Sequence, residues 1–172
     1  ATGGRAAYVY VPDTAGSGHD YFRRYFYPQS DKDAIIVDER FNGGGQIPDY
    51  YISHLLRPPL AMWALRFGED IREPSAAIQG PKVMLINETA GSGGDMLPWM
   101  FRKLKLGPLV GKRTWGGLVG LLDMPLLMDG TRVTAPNVAI WADGRWVVEN
   151  EGVAPDVEVE QLPAEVIAGK DP

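Results

Sequence analysis

The 172-residue chain contains no cysteine and only two histidines, His19 and His54. Without cysteine there are no disulfides, no thiol nucleophile and no thiolate metal site. Neither histidine has a neighbour at metal-ligand spacing, so no metal is expected, and no cofactor is implied. Basic residues are also few, 17 against 22 acidic ones, and the two signs are mixed along a chain of net charge −5. No Lys/Arg cluster forms, so neither nucleic acid nor an anionic membrane is an expected partner. No apolar run reaches the roughly 18 residues of a membrane span. The opening Ala1-Thr2-Gly3-Gly4-Arg5 leads straight into a β-rich run, so no signal peptide is expected, and the expected location is cytoplasmic. A start without Met suggests a processed chain or a piece of a longer one.

What is present points to one ordered domain. The length is enough for a real core, and 45% of residues are hydrophobic, which argues against disorder. The 21 glycines and 14 prolines imply many tight turns. Residues 1–172 are expected to form a single α/β domain, with a polar and loose tail over 161–172.

The most informative stretch is Asn87-Glu88-Thr89-Ala90-Gly91-Ser92-Gly93-Gly94-Asp95. Before it, residues 81–87 form a short apolar run that reads as a core strand. After it, residues 96–104 read as an amphipathic helix. Ser92 therefore lies on a Gly-rich turn at a helix N-terminus, where free N–H groups and the helix dipole favour negative charge. Such a place suits a nucleophilic serine and the oxyanion it generates. A tight turn with an N-cap explains the same residues, and the local pattern leaves both readings open.

A second glycine turn, Arg40-Phe41-Asn42-Gly43-Gly44-Gly45, follows the almost continuously apolar run Ala34-Ile35-Ile36-Val37-Asp38, which reads as a strand buried on both faces. Residues 6–12 read as a strand, 19–27 as a short aromatic helix, and 47–56 as a helix ended near Pro58-Pro59. Residues 60–67 suggest a strand and 68–80 a polar loop. Further strands are expected at 109–111, 118–127, 138–141 and 157–159, with hairpin turns at Asp129-Gly130 and Asp143-Gly144. Two strand–glycine–helix units side by side would converge their N–H groups on one oxygen at the C-terminal ends of parallel strands.

Taken together, Arg40-Phe41-Asn42-Gly43-Gly44-Gly45, Asn87-Glu88 with Ala90-Gly91-Ser92, Gly111-Lys112-Arg113-Thr114-Trp115-Gly116-Gly117, and Val148-Glu149-Asn150 with Gly152-Val153 and Pro155-Asp156 resemble the C-terminal core of the tricorn proteases. These belong to peptidase family S41, with the carboxyl-terminal processing proteases. The motifs stand in family order from about Gly4 to Asp156. The resemblance implies a ClpP/crotonase-like fold of repeated ββα units and a serine-type peptidase acting on peptide substrates. It makes Ser92 similar to the nucleophile, the N–H groups of Gly45 and Gly93 similar to the oxyanion hole, and Glu149 similar to the acidic residue that orients a histidine through a second serine. It further implies substrate contacts at Gly44, Trp63, Gly116 and Gly117, and a homo-oligomer, hexameric by resemblance.

Three departures qualify the match. Processing proteases place a lysine base after a Thr-aromatic-Gly, but Thr114-Trp115-Gly116 is followed here by Gly117. A Ser–Lys dyad is thus not expected, which favours the tricorn branch. There the histidine and its partner serine lie upstream of a PDZ domain that precedes this core, so the chain resembles half of a split active site. An acidic residue that favours basic side chains in that branch falls near 60–63, where Trp63 or a neighbour stands. The resemblance therefore carries no basic preference to this chain. The residue after the nucleophile is commonly Asp and is Gly93 here, and only its N–H is required.

Among single residues, His19 follows Ser17-Gly18, but an isolated loop histidine is more often a cap or surface group. His54 reads as a packing residue. Asp38 is expected to order the 43–45 turn, and Asp95 to favour the helix dipole. Trp99, Phe101, Trp115, Trp141 and Trp146 read as core or interface. A crotonase-like acyl-CoA enzyme and a catalytically idle assembly module remain alternatives to the peptidase.

Overall fold

The computed structural model describes residues 2–172. Its frame is a five-stranded, all-parallel sheet in the order β1-β2-β5-β6-β9, formed by Ala6–Tyr10, Ala34–Asp38, Lys82–Ile86, Leu109–Gly111 and Val157–Glu158. The central strands β2 and β5 are rich in β-branched and long apolar residues because both of their faces are covered. Their register pairs Val37 with Met84 and Asp38 with Leu85, while β5 and β6 pair Met84 with Leu109. Helices make the first three parallel crossovers, whereas β6 reaches β9 through a long stretch without a helix. Helix α1 (Gly16–Phe26) packs on β1, and α2 (Pro48–Leu55) packs on α3 (Gly93–Lys103). A single 3₁₀ turn, Tyr27–Gln29, ends α1. Phe22, Phe26, Tyr51, Ile35, Met84, Ile86, Leu97 and Phe101 are fully buried and join helices to sheet.

Several local expectations need correction. Residues 68–80 are not simply a polar loop: Ile71–Glu73 forms β4, antiparallel to β3 (Ala61–Trp63), and Ala76, Ala77 and Ile78 are buried. The apolar run 118–127 forms no strand. Its one ladder contact among the described residues is a bridge, with Gly120 N–H donating to Val138 O at 2.7 Å. Turn residues 128–130 exist without flanking strands. By contrast, β7 (Trp141–Ala142) and β8 (Arg145–Trp146) pair around Asp143 and Gly144, both at positive φ, the geometry a two-residue hairpin favours. The tail is not loose throughout. It carries α4 (Pro163–Ile167), and Asp171 returns to pair with Arg40 at 2.6 Å.

Candidate active site

Ser92 sits where β5 gives way to α3, at φ 56° and ψ −117°. A non-glycine residue there is strained, and such strain concentrates at functional positions. Its carbonyl accepts the N–H groups of Asp95 (2.9 Å) and Met96 (3.0 Å), and its own N–H donates to Gly117 O at 3.0 Å. The surrounding glycines are required by packing. A Cβ on Gly91 would lie 2.5 Å from the Trp115 ring, and one on Gly94 2.8 Å from Asn42 O. One on Gly93 would overlap the Thr14 hydroxyl and lie 2.8 Å from Gly45 N. The elbow thus presses directly on the first glycine turn.

That first turn is held by Asn42, not by Asp38 as the sequence suggests. The buried Asn42 side chain donates to Val11 O (3.2 Å) and accepts Gly44 N–H (2.8 Å). Asp38 instead accepts the Arg40 guanidinium at 2.7 Å and the Tyr8 hydroxyl at 2.6 Å. Gly44 and Gly45 have φ of 88° and 141°. A Cβ on Gly44 would lie 2.7 Å from Ser92 Cβ, so only glycine leaves the Ser92 side chain clear. Among the described residues, the N–H groups of Gly45 and Gly93 donate to no acceptor. Two free amides therefore flank a serine on a strained elbow, with the N-terminus of α3 behind them.

A strap over residues 114–119 closes the other side. Asp95 Oδ1 accepts the Thr114 hydroxyl (2.6 Å) and Gly116 N–H (2.7 Å), so Asp95 is a clamp as well as a first-turn acid. Burial pushes its carboxyl above the ordinary value, and these two donors pull it back. One residue past Gly117, the N–H groups of Leu118 and Val119 both donate to Glu149 Oε2 at 2.7 Å. Val148 and Asn150, on either side of Glu149, are both at positive φ. Backbone strain thus marks the acidic residue as it marks Ser92.

Ser92, Gly45 and Gly93 open on a cleft of about 630 Å³. Met96, Met100, Leu118, Val138 and Ile140 form its apolar wall, and Asp49 is its one ionisable side chain. Glu149 lines an adjoining hollow of about 240 Å³ that shares Leu118 and Ile140 with the cleft. The first half of the apolar run, residues 118–122, therefore serves as wall rather than strand. Trp63 is not in this wall. It lies on β3, 61% exposed, with its indole N–H on Glu73 at 3.0 Å. Gly116 and Gly117 lie on the strap, just before the cleft wall at Leu118.

Neither histidine lines the cleft. His19 packs against Tyr50, with ring centroids 4.7 Å apart and planes tilted by 52°, and Ser17 bonds to Asp13 rather than to His19. His54 is buried, with Nδ1 2.8 Å from Tyr50 O and Nε2 facing the Tyr27 hydroxyl (3.1 Å) and Arg57 (2.8 Å). Two donors on Nε2 fix the proton on Nδ1 and the ring as neutral, and burial lowers its pKa. Among the described residues no cluster of acidic or histidine side chains has the makings of a metal site. Asn42, Thr114 and the clamp role of Asp95 were not evident from sequence, although an Asn ahead of three glycines is a recognisable turn-holding signal.

The model of peptidase family S41 matches residues 5–159. The chain belongs to peptidase family S41. This S41 domain is 41% identical over 170 residues to the tricorn protease of Thermoplasma acidophilum, covering 98% of the domain and 16% of that protein. It is 39% identical over 173 residues to tricorn protease homolog 1 of Streptomyces coelicolor, covering 99% and 16%. A crystal structure of the tricorn protease superposes with a TM-score of 0.92 at 40% identity, over 98% of the S41 domain and 16% of that chain. The photosystem II D1 C-terminal processing protease shares the fold, with a TM-score of 0.67 at 22% identity over 90% of the domain and 42% of that chain. The ClpP/crotonase-like class of the fold is thereby established, and the domain spans about one sixth of the tricorn proteins it matches.

Proposed function

We propose that this S41 domain hydrolyses peptide bonds through an acyl-enzyme on Ser92. The observation that carries the reading is the pair of unpaired amides, Gly45 and Gly93, packed beside a strained serine at a helix N-terminus. Ser92 Oγ attacks the peptide carbonyl, and the oxyanion receives the two N–H groups. The amine leaves with a proton from the base, and water then hydrolyses the ester. Each oxyanion donor contributes about 3 kcal/mol in comparable hydrolases.

The base comes from a histidine outside the described residues, held by its own serine, in a segment upstream of a PDZ domain. Support comes from Glu149: Oε2 is taken by Leu118 and Val119, while Oε1 has no partner among the described residues and remains able to accept. Gly44, Gly116 and Gly117 keep the substrate path open in this reading. Trp63 contacts substrate only if a long peptide or a second subunit reaches β3. A hexameric assembly and a cytoplasmic location belong to the same proposal. Catalysis needs no cofactor.

Fluorophosphonate labelling with peptide mapping, on the full-length parent beside residues 1–172, tests this. Label on Ser92 in the parent alone supports the split site. Label in both moves the base inside the domain and makes His19 the first residue to mutate. A parent that cleaves peptides equally well as Ser92→Ala overturns the proposal. Absence of label and of cleavage in both points to an assembly module or to acyl-CoA chemistry, which binding of a CoA ester would decide.

A further inference from the structure

All four buried side-chain polar atoms without a hydrogen-bond partner among the described residues lie in three residues: Thr14 Oγ1, Glu39 Oε1 and Oε2, and Asp95 Oδ2. A folded domain pairs nearly all such atoms, so their concentration at one place needs a reason. The place is the seam between the two glycine turns. Thr14 touches Gly93 and Gly45. Asp95 N–H donates to the Ser92 carbonyl. Glu39 follows β2, its carbonyl accepting Asn42 N–H at 3.0 Å, and Asn42 packs on Gly94.

Glu39 is the extreme member. Its residue is fully buried and neither carboxyl oxygen is bonded. The charged groups facing it are both acidic: Asp95 from α3 and Asp38 from β2. The cation next to it in sequence, Arg40, is spent on Asp38 and Asp171. Burial, and then these two carboxylates, hold the Glu39 carboxyl well above its ordinary value. An ionised Glu39 would be an uncompensated buried charge, whereas a neutral acid is a hydrogen-bond donor.

We propose that Glu39 carries a proton in the folded protein and donates it to the free oxygen of Asp95, making the two carboxyls a positioning device beneath Ser92. Asp95 then has both oxygens engaged, Oδ2 by Glu39 and Oδ1 by the Thr114 hydroxyl and Gly116 N–H. The strap so fixed presents Gly117 O to the Ser92 amide, which holds the elbow. Glu39 is a positioning residue and touches no reacting atom. Its effect on turnover rests on Ser92 being the nucleophile, but its protonation does not.

The test compares Glu39→Gln and Glu39→Ala with wild type in the full-length parent. Difference infrared spectra at neutral pH should show a carboxylic-acid C=O band in wild type that both variants lose. Hydrogen exchange over 90–97 and 114–119 should be fast in Glu39→Ala and slow again in Glu39→Gln, because the amide keeps the donor. A group held neutral in the fold stabilises fully below the ordinary carboxyl range, and that contribution is lost as pH rises through its folded value. Wild-type protection should therefore decline as pH rises from the ordinary carboxyl range to the folded value and level off beyond it. The rate of fluorophosphonate labelling should fall by about tenfold per pH unit above the folded value, and Glu39→Gln should abolish both trends. Lack of the acid band, or Glu39→Gln that exchanges as fast as Glu39→Ala or fails to fold, overturns the proposal. A parent that is never labelled at Ser92 yet shows the band and the exchange pattern overturns the peptidase reading and leaves the carboxyl pair standing.

Discussion

The Ser92 amide donates to the carbonyl of Gly117 at 3.0 Å, so the residue at the elbow is held by the strap that walls its own cleft. Two residues of that strap also hold Glu149. Ser92 and Glu149 are therefore positioned by one stretch of backbone.

The strain at Ser92 has a thermodynamic signature. Ser92→Gly and Ser92→Ala both remove the hydroxyl, but only glycine is at ease with φ 56° and ψ −117°. Ser92→Gly is expected to be more stable than Ser92→Ala by about 1 kcal/mol in chemical denaturation, with both inactive. Equal stabilities would mean the elbow is unstrained.

The glycines of the two turns are not equivalent. An added methyl on Gly43 meets nothing within 4 Å, and Gly43→Ala should change stability by no more than about 0.5 kcal/mol. On Gly93 the same methyl strikes Thr14 and the Gly45 peptide. Gly93→Ala should cost about 3 kcal/mol and abolish labelling of Ser92. Thermal denaturation beside the labelling assay distinguishes the two.

Thr114 serves two buried partners, donating to Asp95 at 2.6 Å and accepting Val153 N–H at 2.8 Å. Thr114→Val keeps the shape, strands the Val153 N–H and takes one of two donors from Asp95 Oδ1. We expect a loss of about 3 kcal/mol, with faster hydrogen exchange in 114–119. Thr114→Ser should recover most of it.

Glu149→Gln separates charge from shape. The amide oxygen still accepts Leu118 and Val119 N–H, so stability should change by no more than about 1 kcal/mol. The kcat of the full-length protein should fall between about 10²- and 10⁴-fold at little change in KM, as when an orienting carboxylate is neutralised in a serine hydrolase. Unchanged kcat would remove Glu149 from the machinery.

His54 gives an acidic limb. Its depressed pKa means that stability is complete above the ordinary imidazole value of 6.5 and is lost as pH falls through the folded value. Protonation places the ring's second N–H, on Nε2, against the Arg57 guanidinium. Melting temperature should drop between pH 7 and pH 5 in wild type, and the slope should flatten in His54→Gln.

How much of this was legible follows from what each feature depends on. Strands β2 and β5 were visible because burial on both faces leaves an uninterrupted apolar run. The elbow was visible because only glycine tolerates its packing. Residues 118–127 misled because an apolar run signals burial, not pairing, and here its first half lines a cleft with no strand edge beside it. The role of Asp38 and the second role of Asp95 escape the sequence because their partners are a guanidinium turned back two residues and a hydroxyl 19 residues on. Strand β4 is three residues long, too short for alternation to declare itself.

The main sheet adds its strands in the order in which they are synthesised, β1, β2, β5, β6 and then β9. A nascent chain can therefore extend a growing edge at each step without reserving a gap for a later arrival. The elbow, however, receives its hydrogen bond only when Gly117 has emerged, and the end of the strap, Leu118 and Val119, receives its own only with Glu149. Ribosome-bound intermediates that already display the serine still lack the backbone that aims it, so competence arrives late and all at once.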